Sequence, residues 1–430
     1  MQSPTPVEIL TIGREILDGR VTDTNSTYLG YELSKRGLSP RYAQRVDDDP
    51  ARMLEAFKIA QGRSKIVLVT GGLGPTEDDL TAQVFSEFLG HKAVMHTEAA
   101  DQIRTYFAKI QRPLTDLQLK QAVLPPSAGI LKNSKGTAPG FFIETSSPQA
   151  LWFFMPGVPS EMKAMFTSEV LPRISQVKPH LSRTWCTHFT SEGELQGRLK
   201  NFILSLKIFP QIELTFRTRF PENHIGLYVL PENKEDEIFF SEKCAELRKI
   251  LANDYFYEGP EAQELENGIA EELKSQNILL GCVESCTGGL VSHRLTQVSG
   301  ISSHFWASWV TYDNRVKIDL GVDSETITKH GAVSAECAQE MAEAGLKKLR
   351  ILAGSQSFSK IICIATTGIA GPTGGSAIKP VGLVYTALAS SVDLTQVESF
   401  SGRLGLDRSS LKLLFSQRAL DLVWRFLKPR

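Results

Sequence analysis

Short apolar runs that stop at glycine, separated by stretches with apolar residues three and four apart, organise most of this chain. Val7–Ile12 (VEILTI) ends at Gly13 and reads as a buried strand. Residues 25–36 carry Tyr28, Leu29 and Leu33 at helical spacing and stop at Gly37. Residues 65–69 (KIVLV) predict a second buried strand. It runs into Thr70-Gly71-Gly72-Leu73-Gly74-Pro75, passes Asp78 and Asp79, and continues as a helix to about Gly90. Strand, helix, strand, glycine loop and helix is the order of a parallel sheet covered by helices, here expected over residues 1–173.

Residues 180–256 have a different pattern. Strands are expected at 184–189 and 225–230, with a charged helix at 192–206 between them and another helix at 235–250. This predicts a small α+β module over 174–258, followed by a connector at 258–262. Beyond it, Leu265, Ile269, Ala270 and Leu273 share a helical face, and residues 278–283 form a strand leading to Glu284-Ser285-Cys286-Thr287-Gly288-Gly289. Ser334 is a candidate N-cap for a helix carrying Ala338, Met341, Ala342, Gly345, Leu346 and Leu349. Residues 361–365 form a strand that opens into a second polar, glycine-rich loop, Thr366 to Gly375. A strand at 381–389 and an amphipathic helix at 409–427 close the chain. The expected fold class is α/β: two α/β sheet domains, at 1–173 and 265–430, joined by the α+β module.

Composition narrows the function. The chain has 430 residues, 42% hydrophobic and 22% charged, enough for two or three domains with their own cores. Its 47 basic and 48 acidic residues leave a formal charge of −1 with no long basic run, so no nucleic-acid partner is expected. The most apolar stretch, residues 150–158, is broken by Pro156 and is far short of the roughly 20 residues that span a bilayer. No membrane association is expected, and six cysteines without zinc-type spacing read as reduced thiols in a cytoplasmic protein.

Two glycine-rich loops, each following a strand in one domain, point to a small phosphorylated ligand, because backbone N–H groups there can approach an anion closely. Between them lie Ser303, Tyr312 and Lys317. A serine can be activated by a lysine kept neutral through desolvation, although spacing alone makes these ordinary surface residues.

A resemblance adds to this reading. ESCTGG (284–289), GISSHF (300–305), TYDNRVK (311–317), HGAVS (330–334), TGIAGP (367–372) and KPVGLVY (379–385) together resemble the C-terminal domain of the CinA family, a nicotinamide-nucleotide amidase. The resemblance implies hydrolysis of nicotinamide mononucleotide to nicotinate mononucleotide and ammonia without a cofactor. By motif, Ser303 is then the nucleophile, Lys317 the base and Tyr312 a proton-network partner. Ser285, Thr287 and Gly288 line the cleft, and Thr367, Gly368 and Ala370 hold the ligand from the second loop. Arg408 is the expected phosphate contact, with Arg403 as the alternative; a guanidinium can grip phosphate through two bonds. His304 and His330 are expected to be structural, as is Cys286. Trp306 and Trp309 are expected in the core or at a dimer contact, in keeping with the homodimer the resemblance implies.

The first domain carries a second set. The loop Thr70–Pro75 with Thr76-Glu77-Asp78-Asp79 joins an anion-friendly turn to paired carboxylates, which either cap a helix or bind a divalent cation. Residues 11–25, 70–81, 136–141 and 155–162 resemble the molybdopterin-binding-like domain of the same family. That resemblance implies a metal-dependent ADP-ribose pyrophosphatase site at Glu15, Asn25, Gly71, Gly72, Gly74, Asp78, Asp79, Gly157 and Glu161, with Asp78 and Asp79 as metal ligands. Where the family has Gly-Asp-Glu, this chain has Gly13-Arg14-Glu15, and a fixed cation there is expected to compete with the ion. Two other functions stay open: a non-catalytic adaptor associated with competence or DNA damage, and a molybdopterin-handling protein.

Overall fold

The computed structural model describes residues 6–174, 180–209, 211–252, 254–402 and 405–428. The chain forms two compact units, Met1–His180 and Leu181–Arg430.

The first unit is built on a six-stranded sheet in the order Tyr42–Val46, Val7–Ile12, Ile66–Thr70, Gln149–Met155, Gly140–Ser146, Gly129–Leu131. The first four strands are parallel, and the last two pair antiparallel. Every residue of Val7–Ile12 and Ile66–Thr70 is buried, as largely apolar runs require of strands covered on both faces. The one charge in them, Glu8, is neutralised by Arg63 at 2.6 Å and bonded by Ser64 and Gln44. The helix at Thr24–Ser34 starts where the Asp23 carboxylate accepts from the Ser26 N–H. Phe57 meets Phe85, Trp152 and Phe154 edge-on, Phe85 tilts against Trp152 and Phe154, and Trp152 stacks on Phe154, together filling one face.

The second unit contains two sheets. A four-stranded antiparallel sheet runs Ile212–Arg219, Glu222–Val229, Leu181–His188, Tyr255–Gly259. It is seated on the C-terminal helix through a buried polar cluster in which His188 meets Asp421 at 3.1 Å and Gln417 donates to Glu222. The expected single helix over 192–206 is two helices, Glu192–Arg198 and Lys200–Leu206, meeting at Leu199; Gly193 and Gly197 weaken the first of them. The five-stranded sheet runs Phe305–Val310, Ile278–Glu284, Lys360–Gly368, Leu383–Ser390, Gln396–Ser401. Its first three strands are parallel and its last two pair antiparallel. Ala335–Ala353 covers one face, starting where the Ser334 hydroxyl accepts from the Cys337 N–H. Leu265–Ser275 and Arg408–Leu427 belong to the core on the other. Strands Ile212–Arg219 and Gln396–Ser401 were not expected from sequence. Both are mostly half-buried or exposed and carry charged side chains, so they show no apolar run.

Candidate active sites

In the first unit, the carboxyl ends of the parallel strands open on a cavity of about 430 Å³. Glu15, Asn25, Gly71, Gly72, Gly74, Asp78, Asp79, Gly157 and Glu161 all line it. The glycines are there for space. A Cβ on Gly71, at φ +110°, would stand 2.1 Å from the Ile12 carbonyl oxygen, and one on Gly72 would stand 2.1 Å from the Thr81 hydroxyl. Asn25 donates to the Thr70 hydroxyl at 3.0 Å and the Gly157 carbonyl at 2.7 Å, while its own Oδ1 is buried without a partner. A buried acceptor left open on a cavity wall suits a ligand hydroxyl or amine.

Asp48, which the sequence reading did not single out, lines the same cavity and is held by the Arg14 N–H at 3.1 Å. Burial pushes its carboxyl above the usual range, and the nearby charges of Glu15, Asp78 and Asp79 push the same way. Among the described residues, no three His, Cys, Asp or Glu side chains are gathered closely enough to hold a metal ion by themselves. Six carboxylates line the cavity (Glu15, Asp23, Asp48, Asp78, Asp79 and Glu161), and Asp48, made less acidic by burial and by the charges of Glu15, Asp78 and Asp79, belongs to an oxygen donor set of the kind that suits a hard divalent cation. Arg14 is exposed and is not among the residues lining the cavity, so the residue that binds Asp48 here is contributing its backbone and not its cation.

In the second unit, both glycine-rich loops sit at the carboxyl end of the sheet and are tied to each other. The Glu284 carboxylate is the anchor. It accepts from the N–H groups of Gly289, Val291 and Ser292 at 2.9–3.0 Å and from the hydroxyls of Thr287 and Ser292 at 2.7 and 2.6 Å. The Thr287 hydroxyl also meets that of Thr366 at 2.8 Å, and the Ser285 N–H donates to the Thr366 carbonyl. Glu284 was legible as part of a motif but was not given a role; only its contacts reveal one. Thr367 is fixed through its hydroxyl to the Ala332 carbonyl, and Ala370 is buried. Gly368 leaves no room for a side chain, since a Cβ would stand 2.6 Å from the Leu383 carbonyl oxygen. A Cβ on Gly288, at φ +60°, would stand 3.4 Å from the Lys412 ammonium, which adds a cation to the first loop.

Lys317 points into this end of the sheet. Its side chain is 1% exposed, and the ammonium bonds to the carbonyls of Thr311 at 2.6 Å and Tyr312 at 3.4 Å. Among the described residues no carboxylate lies within ion-pair distance of it, and burial lowers its pKa below the ordinary lysine value. The Thr311 hydroxyl beside it is buried without a partner. Arg408 bridges the Gly371 carbonyl at 2.6 Å and the Tyr312 hydroxyl at 2.7 Å; Arg403 lies outside the described residues. The Cys286 thiol is pushed up to about 12 by burial, which suits packing and not nucleophilic attack. His304 is bonded to the Ile278 carbonyl and His330 stands near Glu336.

Ser303 corrects the sequence reading. It was expected beside Lys317, but it lies in the turn Ile301–Ser303 at the opposite end of the strand Phe305–Val310, with its hydroxyl on the Gly300 carbonyl. Six extended residues separate the two ends by roughly 17 Å, and Lys317 is held at the far end by Thr311. Within one chain the pair does not meet. Sequence spacing could not reveal this, because it counts residues and not the direction in which the strand carries them.

Residues 8–176 match the model of the probable molybdopterin binding domain, and residues 262–427 that of the CinA C-terminal domain. The chain is 37% identical over 423 residues to a protein of Acetivibrio thermocellus described as competence-damage inducible, covering 98% of both chains. It is 36% identical to a CinA-like protein of Dictyoglomus thermophilum, again over 98% of both. Among solved structures, CinA of Thermoplasma acidophilum matches 40% of this chain and 100% of its own, with 33% identity and a TM-score of 0.37. Over nearly its whole length, and with both domain models in order, the chain belongs to the CinA family.

Proposed function

We propose that the second unit hydrolyses the carboxamide of nicotinamide mononucleotide, giving nicotinate mononucleotide and ammonia. The observation that carries this reading is Lys317: a fully buried amine, without a carboxylate partner, beside two glycine-rich loops. Burial favours the neutral amine, which can take a proton from a hydroxyl nucleophile. In the reaction, the hydroxyl oxygen attacks the carboxamide carbon and Lys317 takes its proton. The C–N bond then breaks and ammonia leaves with that proton. Water hydrolyses the resulting ester and frees the serine. The N–H groups of Cys286, Thr287 and Ala370, for which no acceptor is found among the described residues, are the donors for the oxyanion and the phosphate, with Arg408 and Lys412 adding positive charge. Tyr312, bonded to Arg408, links this charge to the carbonyls that hold Lys317.

The first unit is proposed to cleave ADP-ribose to AMP and ribose 5-phosphate. Glu15, Asp48, Asp78 and Asp79 would hold a divalent ion that neutralises the pyrophosphate, and Asn25 and the glycine loop would receive the rest of the ligand. Together the two activities make a pyridine-nucleotide salvage protein that acts in the cytoplasm.

The test is to incubate the purified chain with nicotinamide mononucleotide and measure ammonia, and separately with ADP-ribose and Mg²⁺ or Mn²⁺ and measure AMP. Lys317→Ala is expected to reduce ammonia release at least ~100-fold while leaving AMP release intact. A folded Lys317→Ala variant with near-normal ammonia release would overturn the assignment.

A further inference from the structure

A cavity of about 500 Å³ in the second unit opens between one end of the four-stranded sheet, the strand Gln396–Ser401 and the C-terminal helix Arg408–Leu427. That volume is in the range of small-ligand sites. Phe220, Pro221, Leu406 and Leu414 give it apolar walls, and Arg418 is the cation in its lining. The Arg418 guanidinium is held between two rings, 3.4 Å from the Phe189 centroid and 3.9 Å from that of Phe400. The rings cover its faces and leave its N–H edge for other bonds. Among the described residues no hydrogen bond or ion pair reaches that edge, and the Nε is buried without an acceptor. The neighbouring carboxylates are taken: Asp421 pairs with His188 and Arg425, and Glu398 with Arg425. Glu222 and Glu192 also line the cavity, but His224 and Gln417 hold the first, and Thr218 and Gln196 the second. Burial lowers the Arg418 pKa below the ordinary arginine value. Phe189 reaches it from a left-handed backbone, φ +63°, which a bulky residue rarely adopts unless its surroundings impose it.

We propose that this cavity is a further ligand site, which takes a small carboxylate with a flat apolar ring. The carboxylate accepts from the open edge of the Arg418 guanidinium, and the ring lies against Phe220 and Leu414. The hydroxyls of Thr190 and Ser401, also in the lining, make no hydrogen bond among the described residues and can donate to the second carboxylate oxygen. A single negative charge fits better than a phosphate's two, because Arg418 is the one cation in the lining and Glu192 and Glu222 stand in it as well. The site is separate from the amidase cleft. It shares no lining residue with the glycine-rich loops, and Arg418 follows Arg408 on the same helix after a rise of roughly 15 Å. An anion here neutralises a desolvated charge that the protein itself leaves unpaired, so the occupied chain should also melt at a higher temperature.

The decisive experiment titrates phenylacetate, phenylacetamide and acetate into the full-length chain, with its leucine, isoleucine and valine methyl groups followed by NMR. Phenylacetate is expected to bind with a Kd of roughly 1 mM or tighter. It should shift the methyl signals of Leu406 and Leu414 and leave those of Val310 and Ile369, beside the two glycine-rich loops, in place. Phenylacetamide lacks the charge and acetate lacks the ring, so each should bind at least ~10-fold more weakly. Arg418→Gln should weaken phenylacetate at least ~10-fold. If that variant does not fold, Phe220→Ala carries the test: its side chain is 41% exposed, and its loss should weaken phenylacetate by ~3–10-fold. Three results overturn the site: no shift at Leu406 or Leu414 up to ~20 mM phenylacetate, shifts at Val310 and Ile369 alone, or phenylacetamide binding as tightly as phenylacetate. Unchanged phenylacetate binding in a folded Arg418→Gln chain overturns it too.

Discussion

Glu284→Gln isolates the residue that holds the first glycine-rich loop. One oxygen of the native carboxylate receives the Thr287 hydroxyl and the N–H groups of Gly289 and Val291; the other receives the Ser292 N–H and hydroxyl, with the Ser308 hydroxyl at 3.4 Å. A glutamine amide has a single acceptor oxygen, so its NH₂ must face one of these groups of donors. The cheaper choice puts NH₂ toward Ser292, whose hydroxyl can turn and accept but whose backbone N–H cannot. One orphaned buried N–H costs about 1–3 kcal/mol, and losing charge assistance in the three remaining bonds adds about 2–3 kcal/mol. After partial relaxation the loss should be about 3–5 kcal/mol. Urea unfolding followed by tryptophan fluorescence measures it, and amide exchange at Gly289, Val291 and Ser292 should accelerate with it. Because the Thr287 hydroxyl also links to Thr366, ammonia release should fall at least ~10-fold as both loops shift. A loss below about 1 kcal/mol with unchanged exchange would show that the loop holds its shape without this carboxylate.

Gly71→Ala should destabilise the first unit by about 2–4 kcal/mol, since φ +110° and an Ile12 carbonyl 2.1 Å from the new Cβ penalise it twice; thermal unfolding with little change would refute the close approach. The pH profile of amide hydrolysis should rise through an ionisation below the ordinary lysine value of 10.5, because burial lowers that of Lys317. Between the lowered value and 10.5 the unfolded chain holds the extra proton, so stability should rise with pH across that window, and Lys317→Met should remove both the slope and the activity. Asp48→Asn should weaken divalent-metal binding roughly 10-fold. It should also abolish the loss of stability that the wild type undergoes as pH rises above 3.8 through the raised Asp48 value, since the amide stays neutral; metal titration and melting curves against pH test the two effects.

How far the sequence reaches is seen in particular residues. The largely apolar runs at Val7–Ile12 and Ile66–Thr70 read as buried strands, and Ser334 capped the helix its position predicted, because these features depend on neighbours a few places away. The glycine loops were legible for the same reason: the turn is local, and the sequence states it. That Glu15, Asn25, Asp78 and Glu161, far apart in the chain, share one cavity is stated nowhere in the order of residues. The role of Asp48 was invisible, because its neighbourhood of carboxylates exists only once the strands have assembled. Ser303 and Lys317 make the point most sharply. Fourteen positions apart, they are paired only by the resemblance to the family, yet an extended strand carries the chain steadily in one direction and leaves them at its two ends. Local chemistry was fixed by the residues; which groups meet was decided by strand direction and sheet order, properties that no short stretch of sequence contains.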